Sequence, residues 1–249
     1  RTTLGWCAVW LTPLTEAPRI TTYNEQPLHA ALKAWYAGPG DRLEMPLDGY
    51  VIDVVKDDLL VEIQTANFSS IKSKLRSLTE HHRVLLVYPL PRDKWLVKRW
   101  DAEDPEAKVE RRKSPKHGKP QEIFAELVSF PDLIARETFA VEIAWTQEEE
   151  LRHRDRRRGW RRHGWVVDER LLIDVVDQQR FETPADFAPL LPETLADGFT
   201  TRDLSDVMGR GRRFGQQMAY CLRKMGVIER IGKRGRSRLY ARSRQFKRT

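Results

Sequence analysis

Residues 50 to 90 constrain the fold more tightly than any other part of the chain. The runs 50–55 and 59–65 are apolar-rich, of strand length, and separated only by Lys56-Asp57-Asp58. A break that short closes an antiparallel hairpin. Residues 67–80 switch to helical spacing through Phe68, Ile71, Leu75 and Leu78, a 3.6-residue period. A buried-looking strand follows over 84–90, opened by Val84-Leu85-Leu86-Val87-Tyr88 and closed by Pro89 and Pro91. A strand reached through a helical crossover runs parallel to the one it left, so 59–65 and 84–90 are expected as parallel neighbours. Upstream, Asn24 is placed to cap a helix over 24–36 whose Leu28, Ala31, Leu32 and Trp35 share a face, and 43–47 supplies another strand ahead of Asp48-Gly49. The order of helix, three strands, helix and strand specifies an α/β class, a mixed sheet flanked by helices.

The remaining elements are less sharply written. Residues 95–100 read as a strand, and 103–120, charged and interrupted by prolines, as a loop or insertion. A helix is expected over 121–130, a strand over 138–146, and a charged helix or arm over 148–158. Strands 164–167 and 171–177 would form a hairpin around Asp168-Glu169-Arg170. Helices over 183–191, 201–208 and 212–225 precede short strands 227–231 and 239–242, which flank the basic run 232–238. Three helices followed by a basic hairpin describe the winged form of helix-turn-helix. The domains divide at 1–130, 131–180 and 181–249.

Charge separates these parts. Of the 249 residues, 44 are Lys or Arg and 36 Asp or Glu, a net +8. Residues 199–249 hold fifteen basic side chains against three acidic, a net +12, so the rest of the chain carries −4. A mildly acidic body with a strongly basic end points to a polyanionic partner met by one module, DNA above all. Arg210, Arg212, Arg213 and Arg223 stud the third helix and its approach, and Lys233, Arg234, Arg236 and Arg238 the hairpin. A solvated basic surface on a protein-interaction domain is the plainer account of the same residues. Residues 152–162 contain seven arginines beside Trp160 and Trp165, suited to tracking a phosphate backbone or serving as a charged connector.

Several classes are disfavoured. No apolar run approaches the roughly 18 residues of a membrane span. Gly5-Trp6-Cys7-Ala8-Val9-Trp10-Leu11 reads as a strand rather than a secretory core, and Cys7 and Cys221 form no metal or redox pattern, so a reducing cytoplasm is expected. The six histidines show no zinc spacing. No phosphate-binding loop of the nucleotide-hydrolase type occurs, so no nucleotide cofactor is expected.

The chemistry concentrates in the 50–65 hairpin. Centring its turn on Asp57-Asp58 puts Asp53 opposite Glu62, with Cβ atoms about 5 Å apart on one sheet face, and Gln64 on that face as well. Facing carboxylates beside Val and Ile repel each other unless a cation lies between them, and hard oxygen donors suit Mg2+ or Mn2+. Ordinary edge-strand charges would give the same letters.

Ile52-Asp53, a short hairpin, then Glu62-Ile63-Gln64-Thr65 resembles the PD-(D/E)xK core of restriction-endonuclease-like nucleases. The resemblance covers about residues 24 to 90 and implies a metal-dependent DNA endonuclease. Asp53, Glu62 and the Ile63 carbonyl would hold the metal, and Glu25 would be the early acidic residue of the preceding helix, a role for which Glu44 competes. Gln64 stands where the family has lysine and carries no charge. A lysine from the following helix can replace it, making Lys72 and Lys74 candidates and Lys33 a weaker one. Cleavage of duplex DNA with one site per chain would favour a homodimer. Two alternatives stay open: a catalytically inactive nuclease fold that binds DNA or regulates, and a partner-dependent nuclease subunit of a defence or transposition system.

Overall fold

The computed structural model describes residues 26–100, 108–155 and 163–246. Strands β1 (Arg42–Leu47), β2 (Tyr50–Lys56) and β3 (Leu59–Ile63) form an antiparallel meander whose two turns carry Asp48, Gly49 and Asp57 at positive φ. A 3-10 turn, Phe68–Ile71, and helix α2 (Lys72–Leu78) cross over to β4 (Arg83–Arg99), which lies parallel to β3. The remaining strands, β5 (Val109–Lys113), β6 (Phe139–Arg154) and β7 (Trp165–Phe181), complete one mixed sheet in the order β1-β2-β3-β4-β6-β7, with β5 on the far half of β4. The protein is therefore α/β, with a mixed sheet flanked by helices.

The strands run longer than the sequence suggests. Strand β4 does not stop at Pro89 and Pro91. On one side it pairs with β6 throughout; on the other it pairs with β3 as far as Val87 and with β5 only from Trp95. Between those partners that edge is open, and the carbonyls of Val87 and Pro91 face it, accepting from Gln64 N and Gly118 N. The nitrogens of Pro89 and Pro91 point the same way, so the missing N–H groups leave no ladder bond unmade.

Residues 148–154 belong to β6 rather than to a helix, and β7 continues through Asp168-Glu169-Arg170 with a bulge at Asp168. Among the polar side chains that hid these strands, Glu148 and Glu150 are buried and paired. Arg170 grips the fully buried Glu148 with two nitrogens, at 2.7 to 3.0 Å, and Thr146 donates to it at 2.6 Å. Strand β5, inside the expected loop, is held by Arg111, which stacks 5.0 Å over Trp95 and pairs with Glu149 at 2.6 Å.

Helix α1 (Pro27–Tyr36) covers one face of the sheet, burying Leu28, Leu32 and Tyr36 against Val54, Val61, Ile63, Leu85 and Val87. The other face carries the larger core. Phe68 lies stacked on Phe130 at 5.7 Å and edge-on to Tyr88 at 5.4 Å, and each fully buried side chain of this size stabilises the fold by about 1.5–3 kcal/mol. The expected helix over 121–130 is a 3-10 turn, Pro120–Ile123, followed by the short α3 (Phe124–Leu127).

The chain's end packs onto this same core. Pro184–Leu190 is 3-10 rather than α-helical and contains Pro189. Helix α4 (Thr201–Met208) starts on a capping box of Thr200 and Asp203, and α5 (Arg212–Lys224) lays Met218, Cys221 and Leu222 against the large cluster. Strands β8 (Ile228–Arg234) and β9 (Ser237–Arg242) form a hairpin, and Phe199 bridges to Tyr240. Gly215 is required where α4 meets α5, because a Cβ there would run into Ser205 Oγ and the Thr201 carbonyl. One cluster of buried residues extends from Ile52 in the sheet to Tyr240 in the hairpin. Strands β6 and β7, from the segment read as 131–180, lie in the same sheet as β1–β4. No helix among the described residues is long and apolar enough to cross a membrane.

Candidate active site

Strands β2 and β3 pair from Lys56↔Leu59 to Val54↔Val61 and then part. The next pair in this register would be Asp53 and Glu62, the juxtaposition read from the sequence. Side chains two apart on a strand should share a face, yet Ile52 packs into the core beneath α2 and Val54 into the core beneath α1. Strand β2 therefore kinks at Asp53. Across from the kink, between the pairs Leu43↔Val54 and Met45↔Ile52, Glu44 adopts a φ of 51°. In the gap so opened, Asp53 Oδ2 accepts a hydrogen bond from Ile63 N at 2.8 Å, doing the work of an absent strand carbonyl.

A basic side chain closes each face of this opening. From α1, His29 Nε2 lies 3.3 Å from Asp53 Oδ2 and 2.9 Å from the Ile63 carbonyl. From α2, Lys74 Nζ donates to Glu62 Oε2 at 2.5 Å and to the Val51 carbonyl at 2.6 Å, bridging the parted strands. The other Glu62 oxygen, Oε1, is buried and has no hydrogen-bond partner among the described residues.

The two carboxylates are driven in opposite directions. Burial raises the Asp53 carboxyl, but His29, the Ile63 amide and Lys74 outweigh it and hold the group below the usual carboxylate range. Burial dominates at Glu62; Lys74 opposes it and the charge of Asp53 adds to it, so its pKa is pushed up to about 7. One acid that stays ionised beside one poised near neutrality is an arrangement enzymes use. The donor set suits a hard divalent cation: two adjacent carboxylates, one with a desolvated oxygen that no donor among the described residues satisfies. Among the described residues no three His, Cys, Asp or Glu side chains converge as a ready-made metal cage.

The other candidates fall on both sides of this site. Gln64 follows β3, and its amide donates to Ala66 O at 2.5 Å, tying down the turn into α2. Lys72 lies on the same helix as Lys74, and its charge acts on Asp132. Lys33, 6% exposed, pairs with Glu44 at 2.6 Å. Glu25 and Asn24, like Cys7, lie outside the described residues. His29 was not singled out by zinc spacing, yet a signal existed: His29 and Lys33 stand four apart on α1, beside the buried Leu28 and Leu32, and each reaches an acid of the meander.

At the basic end, Arg210 pairs with Glu122 and lies 5.8 Å over Phe214, and Arg234 pairs with Asp203 at 3.0 Å. Arg212, Arg213, Arg223, Lys233, Arg236 and Arg238 are exposed and make no ion pair among the described residues. Arg152 pairs with Glu150, and Arg154 stacks 5.2 Å over Trp100. Trp165 packs edge-on to Trp100 at 5.2 Å. The arginines at 156, 157, 158, 161 and 162 and Trp160 lie outside the described residues. Cys221 is buried, and burial pushes its thiol up to about 12.

No solved structure matches this chain. An uncharacterized protein of Treponema pallidum (strain Nichols) is 32% identical over 222 residues, which covers 89% of this chain and 86% of that protein. A match of that length includes the carboxylate site. The family model described as Domain of unknown function (DUF8091) matches residues 26–182, from the start of α1 to the end of β7, and the chain belongs to that family.

Proposed function

We propose that the protein is a divalent-cation-dependent endonuclease that hydrolyses phosphodiester bonds of DNA, with a restriction-endonuclease-like core and a winged helix at its basic end. The observation that carries the reading is the buried, unpartnered Glu62 Oε1 beside Asp53 at the parted end of β2 and β3. The element order supports it as well: a helix, an antiparallel meander, a crossover helix, and a strand parallel to the last of the meander. Helices α4 and α5 followed by the β8–β9 hairpin support the winged helix.

Asp53 and Glu62 would hold Mg2+ or Mn2+, which supplies Lewis acidity toward a phosphate and a lowered pKa for bound water. The chain's own groups do the rest. Ile63 N and His29 fix the Asp53 carboxylate and keep it ionised. Lys74 supplies the positive charge that Gln64 lacks and can offer it to a phosphate oxygen. Gln64 holds the turn that carries Lys74. The exposed arginines of α5 and the hairpin grip the polyanion.

A second reading is a nuclease-like scaffold without catalysis. It draws on the pairings of Lys74 with Glu62 and His29 with Asp53, which go far toward neutralising both acids without a metal. Incubation with supercoiled plasmid and Mg2+ or Mn2+ separates the two. Nicking or linearisation that disappears in Asp53→Ala and Glu62→Ala is expected; cleavage that survives both substitutions unchanged overturns the site, and no cleavage with either metal favours the scaffold.

A further inference from the structure

Helix α5 and the β8–β9 hairpin enclose a cleft of about 390 Å3. Arg212, Gln216, Tyr220 and Arg223 follow one another along α5 at helical spacing, a stripe about three turns long that forms one wall. Arg236 and Arg238 of the hairpin line the other. No acidic side chain lines the cleft, and none of these four arginines has an ion-pair partner among the described residues. Their neighbours Arg210 and Arg234 are both paired. Four guanidinium groups bordering one cleft without acidic neighbours raise a positive potential that draws in an anion.

The shape narrows the anion. A helix that reads duplex DNA enters the major groove as the convex partner. Here the arginines line the walls of a concavity, and the partner has to enter it. Tyr220 stands within the same cleft at 39% exposure, an aromatic face among phosphate-binding groups. A basic groove with an aromatic platform is how single-stranded nucleic acid is held without regard to sequence, the arginines taking phosphates and the ring a base.

We propose that the cleft between α5 and the β8–β9 hairpin binds one strand of nucleic acid, with its backbone on Arg212, Arg223, Arg236 and Arg238 and a base stacked on Tyr220. The inference rests on reading the basic end as a nucleic-acid module and makes no use of Asp53 or Glu62. Applied to the proposed nuclease, it makes a frayed end, flap or junction the preferred substrate over uninterrupted duplex.

The test is fluorescence anisotropy with the full chain in EDTA, using labelled oligo(dT), oligo(rU) of equal length, and a duplex of that length. Either single strand should bind about tenfold or more tighter than the duplex, and the ratio of the two tells which sugar is preferred. Tyr220→Ala should weaken single-strand binding on the order of tenfold, while Tyr220→Phe, which keeps the ring, should restore it. The double variant Arg223→Ala and Arg236→Ala should make the dependence of log affinity on log salt shallower by about 1.4. Duplex binding as tight as that of both single strands, or unchanged binding in both the Tyr220→Ala and double-arginine variants, overturns the proposal. Because EDTA removes divalent cations, either outcome is independent of cleavage.

Discussion

Replacing Glu62 with glutamine removes a carboxylate that the fold holds at a disadvantage. Its ordinary pKa is 4.5, and burial pushes it up to about 7 in the folded protein. Below pH 4.5 both folded and unfolded chains hold the proton. Between 4.5 and about 7 the folded chain keeps the proton while the unfolded chain has released it, so stability falls as pH rises. Above about 7 both forms are ionised and the full penalty remains, about 3 kcal/mol at 1.4 kcal/mol per pH unit. Glutamine does not titrate. The variant leaves Lys74 facing an amide, an offset that stays constant over this range, so the slope carries the test rather than the absolute difference. Urea denaturation of both proteins from pH 4 to pH 8 should show the wild type losing about 3 kcal/mol relative to Glu62→Gln, while titrating groups common to both cancel. Mg2+ or Mn2+ at about a hundredfold its Kd should return about 2.7 kcal/mol to the wild type and far less to the variant. A difference between the two proteins that does not change with pH would refute the account of Glu62 as a buried, incompletely satisfied acid.

Two further substitutions probe the frame around the site. Gly215→Ala forces a methyl group against Ser205 Oγ and the Thr201 carbonyl, so thermal denaturation should show a loss of about 1–3 kcal/mol, and an unchanged Tm would mean that α4 and α5 have room to spare. Glu148→Ala leaves the partly exposed Arg170 guanidinium without its carboxylate and should destabilise by about 1.5–3 kcal/mol, whereas a loss below about 1 kcal/mol in urea unfolding would show that this pair contributes little to joining β6 to β7.

The legible parts of the fold are those in which local pattern and tertiary role agree. The meander and crossover could be read because Val54, Val61, Leu85 and Val87 are apolar where the sheet is buried, and because Asp57-Asp58 is a turn in its own right. The register that put Asp53 opposite Glu62 follows from that turn alone. What escaped was sheet built from charged residues. Glu148-Glu149-Glu150 reads as helix or arm because the burial of Glu148 and Glu150 depends on Arg170, Lys94 and Arg152, two of them on other strands. Pro89 and Pro91 read as a strand end because nothing local reveals that β4 has an open edge at that point. The kink at Asp53 and the approach of His29 escaped for the same reason, since both depend on how α1 lies across the sheet.

Those buried acids also supply the control by which Glu62 is judged. Four glutamates of the sheet, Glu62, Glu142, Glu148 and Glu150, are each less than 10% exposed. Glu142 receives Tyr36 and Gln178 on one oxygen and Arg180 on the other. Glu148 is held by Thr146 and Arg170, and Glu150 by Lys94 on one oxygen and Arg152 on the other. In each of these three both carboxylate oxygens are engaged, as a structural buried charge requires. Glu62 has the same burial and a lysine on one oxygen, but its other oxygen faces no donor among the described residues. A sheet that satisfies three buried glutamates and leaves the fourth open among the described residues, beside an aspartate held in its ionised form, is what the proposed ligand site requires. This contrast, more than the spacing of Asp53 and Glu62, is what favours the proposed ligand-holding pair over a purely structural one.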